Sequence, residues 1–170
     1  MFHARRFVIG VAGGIAVLAA APAALAAGAA RPQTLTVSVE STGTHRGTVD
    51  NGQQGLSIGD TYQSIGVLRS SAGKVLGAYH VSCTITDPND HGSAWASCWT
   101  AALIKGRGTV IATGLAHLLH VATSPGGFGV APPKASFAIV GGTGSYAGAR
   151  GQMIETRTEA KRTLRFQFTL

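Results

Sequence analysis

Thr163-Leu164-Arg165-Phe166-Gln167-Phe168-Thr169-Leu170 is the stretch whose reading decides the fold. Leu164, Phe166, Phe168 and Leu170 fall on one face, while Arg165, Gln167 and Thr169 fall on the other, which is the period-two pattern of a half-buried strand. An apolar strand left as an open edge recruits other chains, and pairing it with the first strand removes that edge. The pattern therefore points to a closed sheet.

Working back from this segment, apolar residues keep a period of two rather than 3.6, in runs separated by Gly, Pro, Asn and Asp. The strands expected are Thr34–Thr42, Leu56–Ser70, Lys74–Thr86, Ala94–Ile104, Gly108–Leu118, Ala135–Val140, Arg150–Glu159 and Thr163–Leu170. Ser71-Ala72-Gly73, Asp87-Pro88-Asn89-Asp90, Lys105-Gly106-Arg107 and Ser124-Pro125-Gly126-Gly127 supply the residues that turn cheaply. Charged residues make up only 12% of the chain and Gly numbers 24, which suits strands and tight turns better than solvated helices. The expected class is all-β, an eight-stranded antiparallel barrel with room for side chains or one small ligand.

The two cysteines, Cys83 and Cys98, test this register. If the third and fourth strands form a hairpin with Cys83 facing Cys98, then Val81 faces Thr100 and Tyr79 faces Ala102, and every pair keeps consistent sides. A disulfide is the economical reading, worth roughly 3 kcal/mol by restricting the unfolded chain. The alternative is a free Cys83 in a pocket.

Met1 to Arg6 is short and basic, Phe7 to Ala21 is apolar and rich in small residues, and Ala24-Leu25-Ala26 is a cleavage motif. We expect a signal peptide over 1–26, a flexible tether over 27–33 and one barrel domain over 34–170. The apolar run is shorter than the roughly 20 residues of a membrane span, so no stable membrane span is expected after cleavage, and the mature protein is expected outside the cell or at its envelope. Arg5-Arg6 before Phe7-Val8-Ile9 also resembles a twin-arginine signal.

The net charge of +7 falls by two once Arg5 and Arg6 leave with the leader. Nucleic-acid binding would want a dense basic stripe with interleaved aromatics. The one cluster is Arg157, Lys161, Arg162 and Arg165, most simply a solvated outer face. No nucleic-acid partner is expected.

Ala138-Ile139-Val140-Gly141-Gly142-Thr143-Gly144-Ser145-Tyr146-Ala147-Gly148-Ala149-Arg150-Gly151 resembles the signature of the allene oxide cyclase and dirigent barrel families. There a strand runs into Gly-Gly-Thr-Gly, an aromatic residue, Ala-Arg-Gly and a further strand. Physically it is a sharply bent connection, with Tyr146 placed to anchor the turn. It lacks the Lys-Ser/Thr ending and following helix of a phosphate loop. Ile58-Gly59-Asp60, Leu76-Gly77 with Cys83, and Gly106 to Gly114 are similar to other parts of the cyclases. The resemblance implies a calycin-like barrel, assembled as a homotrimer, that binds a small apolar metabolite and steers its cyclisation or isomerisation without a cofactor; a non-catalytic extracellular barrel that binds a ligand or serves a structural role is the alternative reading. It also implies Glu40 as the first-strand glutamate and Arg150 as the dirigent arginine, clamping a carboxylate or phenolate; a structural salt bridge is the other reading of Arg150.

Among polar candidates, Asp60 would serve as an acid or base if burial raised its pKa, and otherwise is a strand-start carboxylate in water. Asp60 and Arg150 are thus the catalytic candidates. Glu40, Tyr62, Tyr79, Trp99 and Phe166 are the ligand-binding candidates, although Tyr62, Tyr79 and His80 also suit plain wall positions. Tyr79 and His80 are neighbours, so only one faces the lumen. Trp95 and Trp99 share a face that lines either the lumen or a subunit contact. His117 and His120, with His80 or His91, lack the spacing of a zinc site, so no metal is expected. No Gly-x-Ser-x-Gly elbow marks a hydrolase.

Overall fold

Among the described residues the period-two alternation is realised in nine strands. The computed structural model describes residues 31–89, 92–120, 128–131, 134–157 and 162–170. In chain order the strands are β1 (Gln33–Val49), β2 (Thr61–Arg69), β3 (Val75–Pro88), β4 (Ser93–Ile104), β5 (Gly108–His120), β6 (Phe128–Ala131), β7 (Lys134–Gly142), β8 (Arg150–Arg157) and β9 (Arg162–Thr169). The expected leader over 1–26 and most of the tether lie outside the described residues.

All neighbouring strands are antiparallel, in the order β4-β3-β2-β1-β9-β8-β7-β5, and the pairing of β4 with β5 joins the two ends. The protein is a closed eight-stranded antiparallel β-barrel, as the sequence indicates. β9 pairs with β1, with Phe168 opposite Gln33 and Leu164 opposite Val37, so the last strand loses its open edge as expected.

The ninth strand, β6, was not anticipated. It falls between the strands expected at Gly108–Leu118 and Ala135–Val140, and it adds to β5 at His117–His120, beyond the point where β7 pairs with Val110–Thr113. β1 also runs further than expected, to Val49, with a register shift between Glu40 and His45 that lets it continue along β2. β2 begins at Thr61, later than expected.

Residues of even number on β9 and odd number on β3 face inward: Leu164, Phe166, Tyr79 and Ile85 are all buried. Each large apolar side chain moved from water contributes about 1.5–3 kcal/mol. Leu170 departs from the expected pattern, being 47% exposed, because it lies beyond the last ladder pair, Arg150 with Thr169.

Cys83 and Cys98 face each other on β3 and β4 and form a disulfide, and Val81 opposite Thr100 and Tyr79 opposite Ala102 fall in the predicted register.

Candidate functional site

The Gly141–Gly151 stretch closes one end of the barrel. β7 ends at Gly142, a single 3₁₀ turn follows over Gly144–Tyr146, and β8 starts at Arg150. Tyr146 folds inward, buried, with its ring edge-on to Phe168 at 5.7 Å and the Arg107 guanidinium 5.3 Å from its centroid. Gly142 is required by close approach: a Cβ there would stand 2.4 Å from the Thr109 carbonyl oxygen and 2.6 Å from that of Tyr146. Gly144 is required by conformation, at φ +59°.

Toward the other end the lumen becomes polar. Arg162 opens β9 on the same face as Leu164 and Phe166, so its side chain enters the barrel, and Glu155 of β8 shares the inward parity of Met153. The Arg162 Nη2 donates to Glu155 Oε2 at 2.7 Å and to the Tyr79 hydroxyl oxygen at 2.7 Å. Arg157 donates to Glu155 Oε1 at 3.3 Å. The Arg162 guanidinium also lies 4.5 Å from the centroid of the Tyr79 ring. Among the described residues the Nε of Arg162 is buried with no hydrogen-bond partner, and the buried Thr100 hydroxyl lies against the Tyr79 phenol.

Burial sets the proton positions. It pushes the Tyr79 phenol well above its ordinary value, against the opposing pull of Arg162, so the phenol is a neutral hydrogen-bond donor at neutral pH. Burial works against the Arg162 charge as well, but Tyr79 and Glu155 outweigh it and hold the guanidinium protonated. A neutral acid polarised by a fixed cation inside an apolar enclosure can stabilise negative charge developing on a substrate oxygen.

No family model matches the sequence, and no curated protein matches it. Solved structures do. Pyocyanin demethylase aligns with a TM-score of 0.60 at 21% identity, over 79% of this chain and 99% of that one. AbnU, an exo-specific intermolecular Diels-Alderase, aligns with a TM-score of 0.52 at 14% identity, over 82% of this chain and 99% of that one. At these identities the likeness is one of fold. It does not extend to membership of the allene oxide cyclase or dirigent families.

The residues singled out from the sequence are distributed unevenly around this site. Tyr79, Tyr62 and Phe166 are buried in the barrel interior, and Tyr62 is close enough to contribute to the field at Arg162. Asp60 is buried in the β1–β2 connection, where its carboxylate accepts the backbone N–H of Asn51 at 2.8 Å, that of Ser57 at 2.7 Å, and the Ser57 hydroxyl at 3.1 Å. Desolvation raises its pKa, but these three donors prevail and hold it below the ordinary value, the reverse of the shift a buried acid–base catalyst would need.

Arg150 is exposed at the Tyr146 end and donates to the adjacent Ala149 carbonyl at 2.8 Å. Asp60 leads into Thr61, which pairs with the last residue of β1, whereas Arg150 pairs with Thr169 beside the first residues of β1. The two therefore sit at opposite ends of the barrel and do not form one site. Glu40 follows the buried Val39 and turns outward to a salt bridge with Arg69 at 2.7 Å. Trp99 and Trp95 also face outward, 46% and 48% exposed, because Cys98 and Thr100 take the inward positions of β4.

Arg162 departs from the solvated outer face expected for the basic cluster: Arg165 is exposed, but Arg162 lies inside. The signal was its parity with Leu164 and Phe166. Glu155 carried the same kind of signal through Met153. His117 is engaged at the rim by Ser93 Oγ at 3.1 Å and by the Trp95 ring at 5.1 Å. His91 and the His120 side chain lie outside the described residues.

Proposed function

We propose that the barrel binds a small, largely apolar molecule in its lumen and steers its cyclisation or isomerisation without a cofactor. The observation that carries this reading is the buried Tyr79 phenol, whose oxygen accepts a hydrogen bond from the Arg162 guanidinium at 2.7 Å. A carbonyl, enol or epoxide oxygen placed against the Tyr79 O–H receives a hydrogen bond that strengthens as the oxygen gains charge, while Phe166 and the neighbouring apolar wall fix the conformer that reacts. Glu155 positions Arg162 and does not touch the substrate in this scheme. The named activities of the two structural neighbours are transformations of small molecules, which supports a lumen used for chemistry.

Purified mature protein incubated with lipid epoxides, phenolic radicals and polyketide precursors is expected to change a product or stereochemical ratio. Tyr79→Phe should reduce the rate by about 10²- to 10³-fold with little change in substrate affinity. Unchanged ratios across the panel, together with no ligand binding, overturn the reading. Ligand binding with unchanged ratios would instead favour a non-catalytic carrier, which the mutual pairing of Arg157, Glu155 and Arg162 also supports.

The disulfide supports an exported protein, since such bonds persist in oxidising compartments. Among the described residues no helix is long and apolar enough to cross a membrane. The outward-facing Trp95, Trp99 and Leu103 of β4 and Leu115 and Leu119 of β5 form an exposed apolar face that supports a homotrimer. Light scattering should return the mass of three chains; a mass of one chain at micromolar concentration rules out the stable trimer.

A further inference from the structure

The charge balance of the lumen narrows the class of ligand. Arg157 and Arg162 bring two cations to one carboxylate, Glu155, and both carboxylate oxygens are already engaged, Oε1 by Arg157 and Oε2 by Arg162. The other two acids considered for the site are committed elsewhere, Asp60 to Ser57 and Asn51 and Glu40 to Arg69. Among the described residues, the cluster thus carries one more cation than anion. Among the described residues the buried Nε–H of Arg162 has no acceptor, and the Thr100 hydroxyl beside it is turned to the Tyr79 phenol. A buried donor without a partner is unfavourable, and an uncharged hydrocarbon would leave both the donor and the charge unmet.

We propose that the lumen selects an apolar-bodied monoanion, a carboxylate, enolate or phenolate, whose charged oxygen is taken by Arg162 with Thr100 beside it. This rests on the lumen being the ligand site and adds the charge of the ligand to that reading. The ligand's anion completes the pairing that Glu155 begins, and its apolar body lies against the wall that Phe166 and Leu164 provide.

A matched pair of probes separates the two claims. 1-Anilinonaphthalene-8-sulfonate and N-phenyl-1-naphthylamine share one ring system and differ by the sulfonate. Fluorescence titration of the mature protein should show the sulfonate binding about tenfold more tightly or better, as expected for a charged hydrogen bond. Arg162→Gln should erase that preference while leaving the neutral probe bound. Trp99→Ser and Leu115→Ser, on the outer face, should leave the preference intact. If Arg162→Gln does not fold, decanoate and decanol as competitors of N-phenyl-1-naphthylamine carry the same test in the wild-type protein, with decanoate effective at about tenfold lower concentration.

Equal affinity for charged and neutral partners overturns the monoanion while the lumen remains a ligand site. A preference abolished by the outer-face variants overturns it as well, by placing the anion outside. Failure of both probes and both competitors to bind defeats the lumen reading itself.

Discussion

The two ends of this barrel solve opposite problems. At the Gly141–Gly151 end an apolar plug closes the lumen: Tyr146 packs on Phe168, glycines let backbone pass backbone, and the Tyr146 hydroxyl is buried without a partner. Toward the β8–β9 end the same inward parity delivers Arg162 and Glu155 in place of further hydrocarbon. The charged groups at the plug end, Arg107 and Arg150, rest on the Tyr146 ring and on the Ala149 carbonyl. The polar end carries charge that packing alone does not require, since a buried ion pair is often no more stable than apolar residues of similar volume. Chemistry is therefore to be sought at the second end, although the recognisable sequence motif lies at the first.

The largest effect that tests this contrast is at Glu155. Glu155→Gln strands the Arg162 cation in the lumen and should lower stability by about 3–5 kcal/mol, the usual consequence of removing one member of a buried pair. Denaturant unfolding followed by circular dichroism measures it. Adding Arg162→Met in that background should return much of the loss, because the uncompensated charge goes with it. A loss below about 1 kcal/mol for Glu155→Gln would mean that the pair is solvated in solution, and the contrast between the ends would collapse.

Gly142→Ala probes the plug end at the backbone. The added methyl would meet two carbonyl oxygens closer than 3 Å, and neither belongs to a side chain that can swing away. Overpacking of this kind costs about 1–3 kcal/mol. The loss should appear in the thermal midpoint, and the ratio of sulfonate to neutral probe binding should not move. A change in that ratio would show the two ends to be coupled.

Much of the frame was legible because it rests on short-range pattern. Alternation placed the strands, and a hairpin with Cys83 facing Cys98 kept every parity consistent, which is the register found. β6 was not legible: four residues, Phe128–Ala131, between Pro- and Gly-rich flanks carry too little alternation to mark a strand. The polar site was half legible. Tyr79, Tyr62 and Phe166 stood out as large residues on predicted strands, but Arg162 was grouped with neighbouring basic residues, and a charged side chain is outside by default. Its face could be read from Leu164 and Phe166. Its partner could not, because Tyr79 is 83 residues away and meets it across the lumen, not along a ladder pair. Asp60 and Arg150 drew notice by local motif, and each proves to be held by donors or acceptors close in sequence.

The smallest expected effect is the sharpest test of the plug. Tyr146→Phe removes only the hydroxyl, which is buried with no partner, and leaves the ring against Phe168 and beneath Arg107. An unsatisfied buried hydroxyl costs free energy that an isosteric apolar group does not. The substitution should therefore be neutral or stabilising by up to about 1 kcal/mol, the opposite sign to Glu155→Gln. Probe binding should be unchanged, since the ring and the backbone path stay in place. A destabilisation of more than about 1 kcal/mol would reveal a hydrogen bond made by that hydroxyl in solution, and the plug end would then carry polar function of its own.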